Sequence, residues 1–254
     1  MAACPGGLGA LIAELMVKIT PKPLRRSHVA PDLETPAGRA RAWRELYLGD
    51  HHFLRARFSN LHQISNEMWR SNQPSPRQIQ DHADKRGIRT ILNLRGVSTK
   101  GFYLLEKAAC EQAGIALVDF QLFSREPPSR EKIFAARDLF RTIAYPALMH
   151  CKSGADRAGM GAVLYKLLQE RAPFEEAAGQ LSGRYLHIKH GKTGVLDAFL
   201  DAYAHYNESR GRARDDWKPF LEWVEEDYDA AAVKADFLRT LGRGPQLDQI
   251  LRRE

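Results

Sequence analysis

The reactive side chains of this sequence are concentrated in eight consecutive residues. Cys151 is a nucleophile when its thiol is ionised, and Arg157, six positions later, has a planar guanidinium that matches two phosphate oxygens. The small residues between them let the backbone curl, so that amide N–H groups converge on one point. The pattern predicts a phosphate-binding loop built from His150, Cys151, Lys152, Ser153, Gly154, Ala155, Asp156 and Arg157.

The chemistry predicted for this loop is covalent phosphoryl transfer. Convergent amides and the guanidinium would stabilise a Cys151 thiolate and lower the thiol pKa from about 8.5. Attack at the phosphorus of a monoester would give a cysteinyl-phosphate, from which water releases phosphate. No metal and no cofactor is required, and none is expected.

The flanking residues predict the elements that hold the loop. Pro146 to His150 is a short apolar strand entering it. Residues 158–169 then place apolar side chains three and four positions apart, as in a helix with one buried face. A strand ending at Cys151 and a helix starting near Arg157 would put the loop at the positive end of the helix dipole.

The wider pattern alternates strands with helices. Strands are expected at 66–70, 90–94 and 116–122, and helices at 76–85, 102–113 and 129–143. This alternation predicts an α/β fold, with a mostly parallel central sheet flanked by helices. Additional C-terminal helices are expected at 173–182, 194–207, 216–228 and 230–241. An apolar stripe from Leu8 to Ile19 predicts a further short amphipathic helix near the N-terminus.

The loop resembles the signature HCxxGxxR of the cysteine-dependent protein tyrosine phosphatase superfamily. The layout is similar to its compact dual-specificity branch, and the stretch from Trp69 to Pro74, followed by Ile91 to Arg95, is similar to the opening of bacterial and atypical members. The resemblance covers about residues 60–205. It implies that Cys151 is the nucleophile, that Arg157 clamps the phosphate with the amides of 152–157, and that His150 orders the loop. One departure is Ala158, where the superfamily usually has Ser or Thr assisting hydrolysis of the intermediate.

Three carboxyl groups are candidates for the general acid that protonates the leaving oxygen. Asp156 is favoured, since an Asp directly before the loop arginine resembles the arrangement in myotubularins and a group of bacterial phosphatases. Glu126 lies where the superfamily carries its acid loop. Asp119 is 32 residues before Cys151, but it falls inside an apolar run and is expected to be structural.

Composition and charge limit the class of protein and the kinds of partner that this chain could have. The 254 residues carry a net charge of +7, with 44% hydrophobic and 27% charged residues, which excludes disordered and fibrous classes. The positive excess lies in residues 1–160, and Lys152 adds to it, so phosphorylated proteins, lipids or small molecules are the expected partners, and nucleic acid is disfavoured. No apolar run reaches the roughly 20 residues of a membrane span. We expect a cytoplasmic protein whose N-terminal arm could contact a membrane, of unknown oligomeric state.

Three segments are predicted: an N-terminal arm and linker at 1–45, a phosphatase catalytic domain at 46–210, and a C-terminal helical extension packed on it at 211–254. The predicted function is phosphomonoester hydrolysis of the tyrosine or dual-specificity type. Lipid-phosphate hydrolysis and a catalytically weak phosphate-binding module are the alternatives. Cys110 is expected to be a buried apolar residue. The histidines outside the loop, His187 among them, are expected to have surface or packing roles.

Overall fold

A computed structural model describes residues 28–55 and 57–241 and has a five-stranded sheet at its centre. The spatial order is β1-β2-β5-β3-β4; β1 runs antiparallel to β2, and the other neighbours are parallel. At the carboxyl edge, His150 pairs with Ser71 on one side and with Asn93 on the other. The strands are β1 His62–Gln63, β2 Met68–Ser71, β3 Thr90–Asn93, β4 Ala116–Asp119 and β5 Ala147–His150.

Helices cover both faces of this sheet, which confirms the predicted α/β fold with a mostly parallel sheet. Two of them continue into a π-helical turn, at Glu45–Gly49 and at Lys166–Glu170. The helices are α1 Pro36–Arg44, α2 His52–Arg55, α3 Pro76–Arg86, α4 Gly101–Ala113, α5 Arg130–Thr142, α6 Asp156–Tyr165, α7 Phe174–Ala178, α8 Val195–Ser209, α9 Phe220–Glu226 and α10 Ala230–Leu241.

Side-chain caps start several of these helices. Thr35, Ser75 and Ser129 each accept the amide proton of the residue three positions later, at the start of α1, α3 and α5. Ser75 and Gln78 form a reciprocal capping box. In contrast, α6 begins after Ala155, which has no side chain to cap its first amides.

Alternation along the strands divides the core between the two faces. Leu92 and Met149 belong to the larger apolar cluster, which contains most of α6 and α8. Ile91 and Leu148 belong to a second cluster with α3 and α4 on the opposite face. Successive strand residues point to opposite faces, so both faces of β3 and β5 are apolar and buried.

The two ends of the described chain pack on this centre. Helix α1 lies so close to α4 that a Cβ at Gly101 would be 2.5 Å from Ala42 Cα. Residues 36–44, predicted as part of an arm and linker, therefore form a packed helix. At the other end, Phe220 and Trp223 pack against Phe199, and Tyr228 donates to the Pro128 carbonyl at 2.6 Å.

Some predicted bounds differ from the observed ones. The strand predicted at 116–122 ends at Asp119, and the helices predicted at 173–182 and 216–228 are shortened to Phe174–Ala178 and Phe220–Glu226. The helix predicted from Leu8 to Ile19 lies outside the described residues. Within 28–55 and 57–241, no helix has the length and apolar character needed to cross a membrane.

Candidate active site

The loop after β5 places Cys151 at the carboxyl edge of the sheet and directly before α6. Its side chain is buried, with 2% of the residue exposed. The Gly154 amide donates to Cys151 Sγ over 3.2 Å. The predicted strand–loop–helix context of the cysteine is therefore present, and at least one loop amide is directed at the sulfur.

The backbone carbonyls of this loop are held by donors outside it. Asn60, Arg70, Gln73 and Leu94 supply those donors from three different segments of chain. The contacts are Leu94 N–H to His150 O at 2.9 Å, Gln73 N–H to Lys152 O at 3.4 Å, Asn60 Nδ2 to Ser153 O at 3.1 Å, and Arg70 Nη2 to Gly154 O and Ala155 O at 2.8 and 2.9 Å.

The planar geometry of the peptide unit determines where the amides of this loop point when its carbonyls are held. In a trans peptide unit the C=O and the next residue's N–H point in opposite directions. When the carbonyls of 152–155 are held on one side, the amides of 153–156 point to the other. The first amides of α6, which no side chain caps, follow directly in the chain. Amides in such a loop and helix start are the kind of donor that binds phosphate oxygens.

Arg70 is the main anchor. It is fully buried at the end of β2 and also donates from Nη1 to the Gln180 carbonyl at 2.7 Å. Its guanidinium stacks 4.1 Å from the centre of the Tyr185 ring. Burial lowers the pKa of Arg70 to about 10, against the opposing effects of Cys151, Tyr185 and Asp156. At neutral pH Arg70 therefore remains a cation behind the loop.

Gly154 is required by both conformation and space. Its φ is +76°, in the left-handed region that favours glycine. A Cβ there would lie 2.8 Å from Asn72 N and from Ser71 C, both backbone atoms. The loop therefore fits against the end of β2 only with glycine at this position.

A buried polar network lies behind His150. His150 Nε2 is 2.6 Å from Glu106 Oε1, and both side chains are excluded from solvent. Gln73 then joins Glu106 to Arg95 at 2.7 and 2.8 Å, and Arg95 binds both oxygens of Asp50. Although burial opposes it, Arg95 and Arg55 hold the pKa of Asp50 below its usual range. This network places His150 against a buried carboxylate, and its loop-ordering role stays a prediction.

Asp156 lies in the first turn of α6 and is joined to a histidine. Its Oδ1 is 2.8 Å from His187 Nδ1, and His187 Nε2 is 2.8 Å from Asp197 Oδ2. Burial disfavours the cation, but the bonds to Asp156 and Asp197 raise the pKa of His187 to about 9. His187 was expected to have a surface or packing role. It is buried and paired with two carboxylates, and no local spacing predicts that pairing, because the carboxylates are 31 and 10 residues away.

The other two carboxyl groups have structural partners. Asp119 accepts from Asn93 Nδ2 and from the Tyr103 hydroxyl, each at 2.7 Å, which agrees with the structural role expected for it. Glu126 forms an ion pair with Lys234 at 2.7 Å. Of the three acid candidates, Asp156 is the one within the Cys151 loop.

The remaining predicted residues occupy the loop and its exit. Lys152 and Arg157 are partly exposed, and Ser153 is exposed with its Oγ 3.4 Å from the Ala155 amide. Ala158 is completely buried.

Cys110 is 1% exposed and packs with the apolar side chains of α4, as predicted. Burial and two nearby glutamates raise its pKa to about 12. Within the described residues, no three His, Cys, Asp or Glu side chains are grouped as metal ligands.

Several residues of this site were not identified from the sequence. For two groups of them, the sequence contains a local pattern that could have identified them. Arg70 to Gln73 is a polar run at the end of β2, and Glu106 is a carboxylate on the apolar face of α4, between Leu105 and Ala109. Asn60, His187 and Asp197 have no local signal, since only the fold brings them to the loop.

No protein-family model matches this chain, and no curated protein matches it. Among solved structures, the chain is similar to P. aeruginosa TpbA, with 17% identity, a TM-score of 0.45, and coverage of 65% of this chain and 91% of that one. It is also similar to Tk-PTP in its active form, with 18% identity, a TM-score of 0.42, and coverage of 50% and 85%. For PTPMT1 the identity is 10%, the TM-score 0.41, and the coverage 72% and 99%. These are distant likenesses.

Proposed function

We propose that this chain is a cysteine-dependent phosphomonoesterase of the tyrosine or dual-specificity type, acting on a phosphorylated protein in the cytoplasm. One observation carries the proposal: outside donors hold the carbonyls of residues 150 and 152–155, so that the amides of 153–156 face away from those donors, and the Gly154 amide donates to Cys151 Sγ. A neutral substrate would gain little from such a group of donors. A phosphoryl group would satisfy several of them at once.

The proposed reaction uses three side chains of the loop. The Cys151 thiolate attacks phosphorus, forming a P–S bond as the P–O bond to the leaving group breaks. Arg157 and the loop amides hold the three equatorial oxygens, and the leaving oxygen takes a proton from the Asp156 carboxyl. Water then attacks phosphorus, the P–S bond breaks, and phosphate and the thiolate are released.

The test is phosphate release from p-nitrophenyl phosphate in the presence of EDTA. We expect turnover by the native chain, a loss of at least 1,000-fold in Cys151→Ser and Arg157→Ala, and full activity in Cys110→Ser, which removes the other described thiol. Phosphate or vanadate binding without turnover would reject the enzyme and favour the phosphate-binding module. Ala158 makes that module the alternative, because no hydroxyl stands there to assist hydrolysis.

A lipid phosphate is the second candidate substrate, and one surface favours it. The segment formed by residues 43–55 and 57–58 ends beside the loop, because Asn72 Nδ2 donates to the Phe58 carbonyl at 2.6 Å and Asn60 Nδ2 donates to the Ser153 carbonyl at 3.1 Å. This segment exposes six large apolar side chains together with the basic Arg44 and Arg57. Aromatic and basic residues in one exposed segment suit an anionic membrane surface. The six are Trp43, Tyr47, Leu48, Phe53, Leu54 and Phe58.

Vesicle sedimentation separates the two substrates. If lipid is the substrate, the full chain binds phosphatidylserine vesicles better than phosphatidylcholine vesicles. Leu48→Ser with Leu54→Ser then weakens that binding, whereas Leu238→Ser, which changes another exposed apolar side chain, on α10, does not. Equal binding to both vesicles, with hydrolysis of a phosphotyrosine peptide, would support the protein substrate.

A further inference from the structure

His187 connects two carboxylates that are distant in the sequence. Asp156 begins α6 and Asp197 lies in the first turn of α8. The His187 side chain is 1% exposed, and Asp156 and Asp197 are 17% and 12% exposed. Each ring nitrogen of His187 lies 2.8 Å from a carboxylate oxygen. The three side chains form a nearly buried unit that ends in the Cys151 loop.

The number of protons in this unit follows from its geometry. Neutral imidazole has one N–H, whereas two carboxylates in hydrogen-bond contact require a donor at each ring nitrogen. The unit therefore holds one proton more than a neutral histidine with two ionised carboxyl groups. The charged groups acting on it from the packed elements are Asp156, Asp197 and, through Asp156, Arg70 of β2. The two contacts have the same length, 2.8 Å, and Asp156 is the carboxylate through which the unit reaches the Cys151 loop.

We propose that His187 is a positioning residue that stores the proton Asp156 delivers to the leaving group. During attack by Cys151, the P–O bond breaks and the leaving oxygen receives this proton through Asp156. His187 is left neutral, with its Nε2–H still donated to Asp197. When water cleaves the P–S bond, its proton returns through Asp156 to His187. The proton balance closes over one turnover, and no other reactant is needed.

This proposal rests on the proposed function and adds a reason for the position of Asp156. An isolated aspartate ionises near pH 4 and would have lost its proton at neutral pH. A histidine paired with two carboxylates keeps one available, because the second carboxylate stabilises the imidazolium. Asp197 fixes the ring from the far side, so Asp156 is held in one orientation at the start of α6.

The test compares kcat/KM for two esters, because a proton donor matters more for a poor leaving group. The expected result for His187→Gln is a loss of about 100-fold with phenyl phosphate and less than about 3-fold with p-nitrophenyl phosphate. His190→Gln, an exposed histidine three residues away, should change neither value. Asp156→Asn should show the same selective loss, and adding His187→Gln to it should cause no further loss with phenyl phosphate.

Asp197→Asn is the second variant, chosen in case His187→Gln does not fold. It keeps a neutral partner for Nε2 but removes the charge that holds the proton on His187. Its kcat/KM with phenyl phosphate should fall at lower pH than that of the native chain, on the alkaline side of the profile. Equal losses with both esters, in a native chain that is active, would overturn the role of His187 alone. An inactive native chain would overturn the proposed function and this role together.

Discussion

The Arg70 guanidinium donates to the Gly154 carbonyl at 2.8 Å, joining β2 to the loop 84 residues later. The same nitrogen also donates to the Ala155 carbonyl at 2.9 Å, so one side chain holds two successive carbonyls of the loop. Because the carbonyls are drawn toward Arg70, the next amides face the opposite side. The shape of the anion site therefore depends on a side chain that does not itself contact the anion.

Replacing Arg70 with Lys tests this dependence. Lysine keeps the charge but cannot donate to two carbonyls and to Gln180 in one plane. We expect the free energy of unfolding to fall by about 2–3 kcal/mol, and kcat/KM to fall at least 10-fold. Urea denaturation and steady-state kinetics measure the two losses. Arg86→Lys, which alters a partly exposed arginine stacked 5.2 Å from the Trp69 ring, should cost less than about 0.5 kcal/mol.

Gly154→Ala separates conformational strain from a steric clash. Gly114 has nearly the same φ, +67° against +76°, but has open space where a Cβ would lie. Gly114→Ala should therefore cost about 1 kcal/mol in the free energy of unfolding, from the left-handed conformation alone. Gly154→Ala adds contacts of 2.8 Å with two backbone atoms, so it should cost more and abolish vanadate binding. Equal costs would mean that the loop can move away from β2.

Glu106 tests the network behind His150. Glu106→Gln replaces the carboxylate whose Oε1 lies 2.6 Å from His150 Nε2 in a region closed to solvent. A loss of about 1–3 kcal/mol in unfolding free energy is expected, because a buried polar contact is disrupted, with lower kcat because the surroundings of His150 and the loop change. Glu111→Gln changes an exposed carboxylate on the same helix and should leave both values unchanged. Calorimetry together with p-nitrophenyl phosphate turnover would decide between these outcomes.

The pKa of His187 predicts how stability changes with pH. The folded value of about 9 lies above the usual 6.5, so protonation favours the folded state. The stabilisation, about 3 kcal/mol, is complete below pH 6.5 and is lost as the pH rises to about 9. The difference in unfolding free energy between the native chain and His187→Gln should therefore shrink over that interval. A difference that is constant from pH 6 to pH 9 would contradict the pairing.

The thiols should differ in reactivity. Burial raises the pKa of Cys110 to about 12, so iodoacetamide should not label it at pH 7 in the folded chain. Labelling of Cys110 should appear only in urea. In a Cys4→Ser background, labelling of the folded chain should occur at Cys151, and phosphate should slow it by occupying the loop. Mass spectrometry of the peptides containing the two residues distinguishes them. Labelling of folded Cys110 at the rate of Cys151 would contradict this difference.

Local sequence patterns are sufficient to predict the secondary-structure elements and the Cys151 loop. Periodicity along 90–94, 102–113 and 129–143 predicted elements that the structure contains with small shifts at their ends, because apolar spacing reports which face is buried. Ser75 and Ser129 also mark their helix starts locally. The loop from His150 to Arg157 was identifiable because its nucleophile, glycine and arginine are contiguous, so their spacing is fixed by the backbone.

The residues from other parts of the chain that contact this loop can be identified only from the fold. Arg70 and Asn60 donate hydrogen bonds to its carbonyls, and His187 pairs with Asp156 and Asp197. These residues are far apart in the sequence, so hydrophobic periodicity does not predict their contacts. These contacts depend on strand order, since β2 and β3 flank β5 and bring their carboxyl ends to one edge. They also depend on the chain after α7 returning to the start of α6. Buried polar groups need hydrogen-bond partners. The sequence shows which residues are polar, but which residue becomes the partner of each depends on the fold.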